Sequence, residues 1–430
     1  MRTAFARVSI VLLTVYLLAL AGQGQASSQA IQDPAPKHVR LRGHVATYAT
    51  AAARLLGRLP SNTNIPLIFV LPLHHKEELQ VLLTRLYDPA DPLYGQYLSP
   101  EEFAVRFGPT QADYDAVADY ARTMGLTVTG THQNRTLLNV SGSTSGIESA
   151  FSLRLQHYEA ANGRRFYAAD NDPEVPDVIA SRIVGILGLD NAAVWHSHNS
   201  LVPATQASPH QIGTGPGGGL TPSDIRKAYN IAGVTFNGAG QTLGLFELDG
   251  YTPTDVAAYL GYYGLPSVPL QNVIVDGFSG VPGSGAGEVT LDIELQVALA
   301  PGASRIIVYE GPNSITGVVD TYNRIATDNL AKQISSSWGL EENLSFSGAI
   351  LAEDAIFQQM AAQGQSIYAA SGDKGAYDNG STLSVDDPAS QPYMVGTGGT
   401  KLFVNADGTY NHETAWNTNG TINGGAGGGG

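Results

Sequence analysis

The stretch Gly285-Ala-Gly-Glu-Val-Thr-Leu-Asp-Ile-Glu-Leu-Gln-Val-Ala-Leu-Ala-Pro-Gly302 has a glycine-rich approach, an apolar body and a Pro-Gly stop. These start and stop signals predict a single helix of about three turns. At about 100° per residue, Thr290 and Glu294 share one side, while Glu288 and Asp292 fall nearly opposite, flanked by Leu291, Leu295 and Leu299. The flanking leucines imply that the carboxylate pair points away from water. Burying two acids one turn apart costs desolvation and like-charge repulsion, so a pair kept in such a place points to chemistry.

Around this helix, residues 220–430 alternate short apolar strands with helices. A capped helix at 221–229 is followed by strand 241–246, helix 254–263, strand 305–309, helix 317–329, strand 333–338, helix 351–363, strand 366–370 and a last run at 393–397. This alternation predicts a mainly parallel sheet covered by helices on both faces, with sites beyond the carboxyl ends of its strands. Glu247, Trp338 and Asp373 fall at such ends. Residues 59–190 read instead as a compact α+β unit, with helices at 76–87 and 110–124 and an N-capped turn at Ser99-Pro-Glu-Glu102. The His74-His75 pair ends its first strand and reads as a turn feature. Between the two units, the Pro-, Ser- and Gly-rich residues 191–219 read as an exposed processing linker.

Residues 1–26 carry Arg2 and Arg7, an apolar run and a small-residue end, the pattern of a secretory signal peptide, followed by an extension at 27–58. The apolar run is too short to span a bilayer comfortably, which predicts a secreted protein, extracellular or periplasmic, with no membrane attachment after signal cleavage. The chain has no cysteine, which excludes disulfides, a thiol nucleophile and a thiolate metal site. The net charge of −15 is concentrated after residue 200, where 7 basic residues face 21 acidic ones; this excludes nucleic acid as a natural partner. No histidine lies between His210 and His412, so the α/β body has no base of its own for a Ser-His-Asp arrangement.

Four segments, in order, resemble the sedolisins, the subtilisin-fold serine-carboxyl peptidases: Gly287-Glu-Val-Thr-Leu-Asp-Ile-Glu294, Ser336-Ser-Trp-Gly339, Ala369-Ala-Ser-Gly-Asp-Lys-Gly375 and Gly396-Thr-Gly-Gly-Thr-Lys-Leu402. The run Asp88-Pro-Ala-Asp-Pro-Leu-Tyr-Gly-Gln-Tyr-Leu-Ser-Pro-Glu-Glu-Phe103 resembles the activation prodomain of pro-kumamolisin. The resemblance implies a subtilisin-like catalytic domain, incomplete at the C-terminus, behind an α+β prodomain that partners it. It implies a serine-type endopeptidase acting on proteins or peptides, with Glu288 as general base and acid, Asp292 as its orienting partner and Asp373 as oxyanion donor. Glu247 and Trp338 would extend the hydrogen-bond network or line substrate subsites. The nucleophilic serine, in a Gly-Thr-Ser motif, and a calcium site are both expected beyond Gly430, with no metal site at 1–430. The alternative is a non-catalytic secreted pseudopeptidase or binding protein that keeps the fold; a two-carboxylate glycosidase is a more distant one.

Overall fold

The computed structural model describes residues 37–198, 213–231, 233–234, 236–344, 347–418 and 425–429. The signal-peptide reading of residues 1–26, the first part of the 27–58 extension and the middle of the linker lie outside the described residues. Among those described, no helix is long and apolar enough to cross a membrane.

The C-terminal half is built on six parallel strands: β1 (Thr242–Glu247), β2 (Leu270–Ile274), β3 (Arg305–Glu310), β4 (Gln333–Ser336), β5 (Ser366–Ala370) and β6 (Val395–Thr397). Their order across the sheet is β2-β3-β1-β4-β5-β6, with every pairing parallel. The buried patterns of β1 and β3 explain this placement, since such strands are stable only with both faces covered. Helices α1 (Pro253–Tyr263), α2 (Ala286–Leu299), α3 (Ile315–Asp328) and α4 (Ser347–Ala362) supply that cover. Successive strands leave β1 in one direction toward β2 and β3 and in the other toward β4. Open α/β sheets place their ligand sites at such a reversal, beyond the strands' carboxyl ends.

In the N-terminal half, an antiparallel sheet of Thr127–Thr131, Leu137–Ser143, Asn64–Val70 and Gly185–Leu187 packs against helices Gln111–Thr123 and Thr144–Phe151, while helices Lys76–Leu86 and Pro100–Arg106 pack together with Ala361 and Ala362 of α4. Ser99 caps its helix in a complete box with Glu102. The two halves share a core: Ile68, Val70, Leu137 and Leu187 cluster with Phe246, Tyr322 and Phe357. Across the same boundary, Leu98 N–H donates to the Ala362 carbonyl (2.9 Å) and the Tyr87 hydroxyl to the Ala361 carbonyl (2.8 Å).

Two expectations are corrected. Leu291, Leu295 and Leu299 are 37%, 38% and 42% exposed, so they do not bury the carboxylates; α2 buries Glu288, Val289, Ile293, Val297 and Ala298 instead. Residues 191–198 are not an exposed linker either. Trp195 is 2% exposed, and His196–Ser197 pairs antiparallel with Trp338–Gly339. Apolar Ala192, Ala193 and Trp195 are what drive this part of the linker down onto the sheet's carboxyl end.

Candidate active site

Three acids meet at the reversal point. Glu247 ends β1 and is fully buried; Glu288, in the first turn of α2, is 2% exposed; Asp292 follows one turn later and is half-buried. Trp338, just past β4, donates from Nε1 to Glu247 Oε2 at 2.8 Å. Ser337 donates its hydroxyl to Asp292, at 2.8 Å from Oδ2 and 3.0 Å from Oδ1. Glu247 and Asp292 are neighbouring carboxyls, and a hydrogen bond between them requires one of them to carry a proton. Sequence reasoning named Glu247, Glu288, Asp292 and Trp338, and the structure brings all four together. It missed Ser337, whose only signal was its place inside the Ser-Ser-Trp-Gly segment.

The electrostatics follow from burial. Desolvation, then the charges of Asp292 and Glu288, hold the Glu247 carboxyl well above the usual range, against the Trp338 hydrogen bond, which favours the anion. Desolvation and Glu288 push Asp292 up to about 7, against the Ser337 hydroxyl. The cluster therefore holds protons in mild acid and titrates as a unit. A buried acid cluster that exchanges protons in this range can serve as a general base and acid.

Asp373 stands apart from these three. It lies after β5 in a cleft of about 440 Å³ that His196, His198, Gly339, Glu341 and Asp386 also line. Burial raises its carboxyl, Asp378 adds to the rise, and His198 and Lys374 oppose it. The histidine absent from the α/β body thus arrives from the N-terminal side. His198 N–H donates to the Ser337 carbonyl (2.9 Å), and its Nε2 lies 3.0 Å from Asp386 Oδ2. Burial works against its charge, but the Asp386 contact prevails and raises its affinity for a proton. A Cβ on Gly339 would lie 1.9 Å from Asp386 Oδ1 and 2.5 Å from His198 Nε2, so only glycine permits this pair to form. Neither His198 nor Asp386 was legible as a partner of the other in the sequence. Among the described residues no group of three or more His, Cys, Asp or Glu is placed to hold a metal ion.

Known proteins resemble this chain along most of its length. Residues 51–192 match the family described as Pro-kumamolisin, activation domain. Kumamolisin of Bacillus sp. (strain MN-32) is 32% identical over 400 residues, covering 90% of this chain and 71% of that protein. Sedolisin of Pseudomonas sp. (strain 101) is 30% identical over 386 residues, covering 86% of this chain and 65% of that protein. A solved structure of Pseudomonas sedolisin, a serine-carboxyl proteinase complexed with two molecules of pseudo-iodotyrostatin, aligns with a TM-score of 0.46 at 32% identity, over 49% of this chain and 62% of that one. The chain thus spans just under two thirds of the sedolisin it matches. With an activation-domain match at its N-terminus and a relative of this similarity aligned along nine tenths of its length, the chain belongs to the sedolisin family, in its pro-kumamolisin-like form.

Proposed function

We propose that this chain is the precursor of a secreted serine-carboxyl endopeptidase that cleaves proteins in acid. The observation that carries the reading is the cluster of buried Glu247 and Glu288 with half-buried Asp292, tied to Trp338 and Ser337 at the carboxyl end of the parallel sheet. In the complete protein a serine beyond residue 430 attacks the peptide carbonyl carbon while Glu288 takes its proton. Asp292 orients Glu288, and the proton shared between Asp292 and Glu247 keeps the neighbouring charges from repelling the base out of place. Glu288 then returns the proton to the departing amine, and the serine ester is hydrolysed by the same steps with water as nucleophile. Asp373 must be neutral to donate to the oxyanion, and the burial that raises its carboxyl supports that role in acid. Calcium belongs to this reading only at residues beyond 430.

The N-terminal half is read as the inhibitory prodomain. His196–Ser197 lies along Trp338–Gly339 as an added antiparallel strand, the way an extended peptide is held on a free strand edge. Cleavage within residues 191–219 would free that edge for substrate.

The test is Glu288→Gln in the full-length protein. Peptide hydrolysis in acid should be abolished while thermal stability is unchanged or raised, because an amide relieves repulsion at a buried site. Full activity in this variant would overturn the reading. So would a loss of activity matched by a loss of folding.

A further inference from the structure

Helix α2 carries Glu288 and Asp292, yet nothing in its own sequence fixes where it starts. Its N-cap residue is Gly285, no local side chain caps it, and the approach through Gly280, Pro282, Gly283 and Ser284 is largely exposed. A glycine-led helix start of this kind is free to slide or fray unless an outside group holds it. The group that does so is Asp249, two residues beyond Glu247 on the loop after β1. Its Oδ1 accepts from Gly250 N–H (2.7 Å) and Gly283 N–H (2.8 Å), and its Oδ2 accepts from Gly285 N–H (2.7 Å). The carboxylate is only 9% exposed, and all three donors are backbone amides. A negative charge at this end of α2 also complements the helix dipole.

The clamp is connected to the acid cluster by contact. A Cβ on Gly285 would lie 2.4 Å from Trp338 Cη2 and 3.1 Å from Asp249 Oδ2, so the helix start is held between the indole and the carboxylate. The other edge of the same indole donates to Glu247. One ring of contacts therefore runs from Asp249 through Gly285 and Trp338 to Glu247, and Glu288 N–H closes the first helical turn on the Gly285 carbonyl at 2.9 Å. The titratable group facing Asp249 is Glu310, at the end of β3; it is fully buried, and neither of its oxygens has a hydrogen-bond partner. Glu310 offers Asp249 no cation. The backbone amides are what hold the Asp249 carboxylate in place.

We propose that Asp249 is a positioning residue for the Glu288–Asp292 pair, an external cap that sets the height and rotation of α2 against Trp338 and Glu247. The proposal rests on the catalytic reading above. It predicts that weakening the clamp moves the acids relative to one another without removing any of them. The sequence hides this role because Asp249 and Gly285 are 36 residues apart and no helix-capping pattern links them.

Two variants test it, Asp249→Asn, which sets an NH2 group against one of the amides, and Gly285→Ala, which pushes the helix start off the indole. In full-length protein both should lower kcat roughly 100-fold while KM stays within about twofold, because substrate binding is not what the clamp serves. The second readout needs no catalysis. With 15N-labelled tryptophan, the Trp338 Nε1–H resonance reports protonation of the Glu247 it bonds, and the charges of Asp292 and Glu288 help set that titration. If α2 drifts away the repulsion weakens, and the midpoint should fall by about half a pH unit or more in both variants. An unmoved midpoint in both, or a kcat loss that merely follows the unfolded fraction, overturns the proposal. Should the wild-type protein hydrolyse no peptide, the catalytic reading fails by itself and the indole titration still decides whether Asp249 positions the acids.

Discussion

Acid should loosen the N-terminal half through His44. This side chain is 4% exposed; Ile186 N–H donates to its Nε2 at 3.0 Å, and its Nδ1 lies 2.9 Å from the Leu41 carbonyl. Because the Ile186 amide must donate, Nε2 is the bare nitrogen and Nδ1–H the donor, so the imidazole is neutral. Burial lowers its pKa from 6.5 to about 4. Above pH 6.5 neither the closed nor the opened form holds the extra proton, and the hydrogen bond contributes in full. Between 6.5 and about 4 only the opened form takes it up, so stability is lost as pH falls through that window. At pH 4.5 the loss amounts to about 2.5 kcal/mol. Asp190, raised to about 6 by burial, acts in the opposite sense, so a whole-chain melting point mixes the two. The useful measurement is the opening free energy at the Ile186 amide, from hydrogen exchange corrected for intrinsic rates, at pH 7 and 4.5. It should be made in wild type and in His44→Gln, since the difference cancels every other group. Wild type should lose about 2.5 kcal/mol more than the variant, and a difference below about 0.5 kcal/mol would refute the assignment.

Two further outcomes are expected. Glu310 has no partner for either oxygen, and burial, then Asp249, raises its carboxyl to about 7, so its ionisation costs stability as pH rises toward that value. Glu310→Gln should therefore stabilise the protein by about 1–3 kcal/mol at pH 8 and change little at pH 4, read from urea unfolding at the two pH values. Gly339→Ala should expel the strand His196–Ser197, because the new Cβ meets both Asp386 and His198. Limited proteolysis should then cut within residues 191–219 several-fold faster than in wild type, and unchanged cutting would count against the docked strand.

The parallel sheet was legible because its strands are short, apolar and separated by helix-length segments, a pattern that fits a sheet covered on both faces. The helix ends were legible where a cap is local, as at Ser99 with Glu102 and at Thr221 with Asp224. The acid pair was legible for an incomplete reason. Periodicity put Glu288 and Asp292 on one side of α2 but could not say which of the adjoining faces was covered, and the leucines chosen as their flank are exposed. Beside the acids stand Glu247, at the end of β1, and Ser337 and Trp338, just past β4. Asp249, His198 and Asp386 were invisible for the same reason, since each acts through a partner distant in sequence.

These long-range contacts give the two halves different responses to acid. In the site, burial raises both Glu247 and Asp292; the charges of Asp292 and Glu288 raise Glu247 further and that of Glu288 raises Asp292, so protons taken up on acidification relieve repulsion there. Sign by sign, raised acids gain stability as pH falls below their folded values. In the N-terminal half the shifts conflict. His44 and His132 are lowered by burial and lose stability in acid, whereas Asp190 gains it. At the boundary between the halves the same conflict recurs within one network: His132 is 2.8 Å from both Asn139 Oδ1 and Asn323 Nδ2, and Asp320, raised by burial and by Asp276, lies 3.6 Å from its ring. Acid therefore relieves repulsion within the Glu247–Asp292 cluster, while in the covering half it acts through terms of opposite sign. A change at one histidine therefore shifts the acid response of the covering half without touching the proposed catalytic acids.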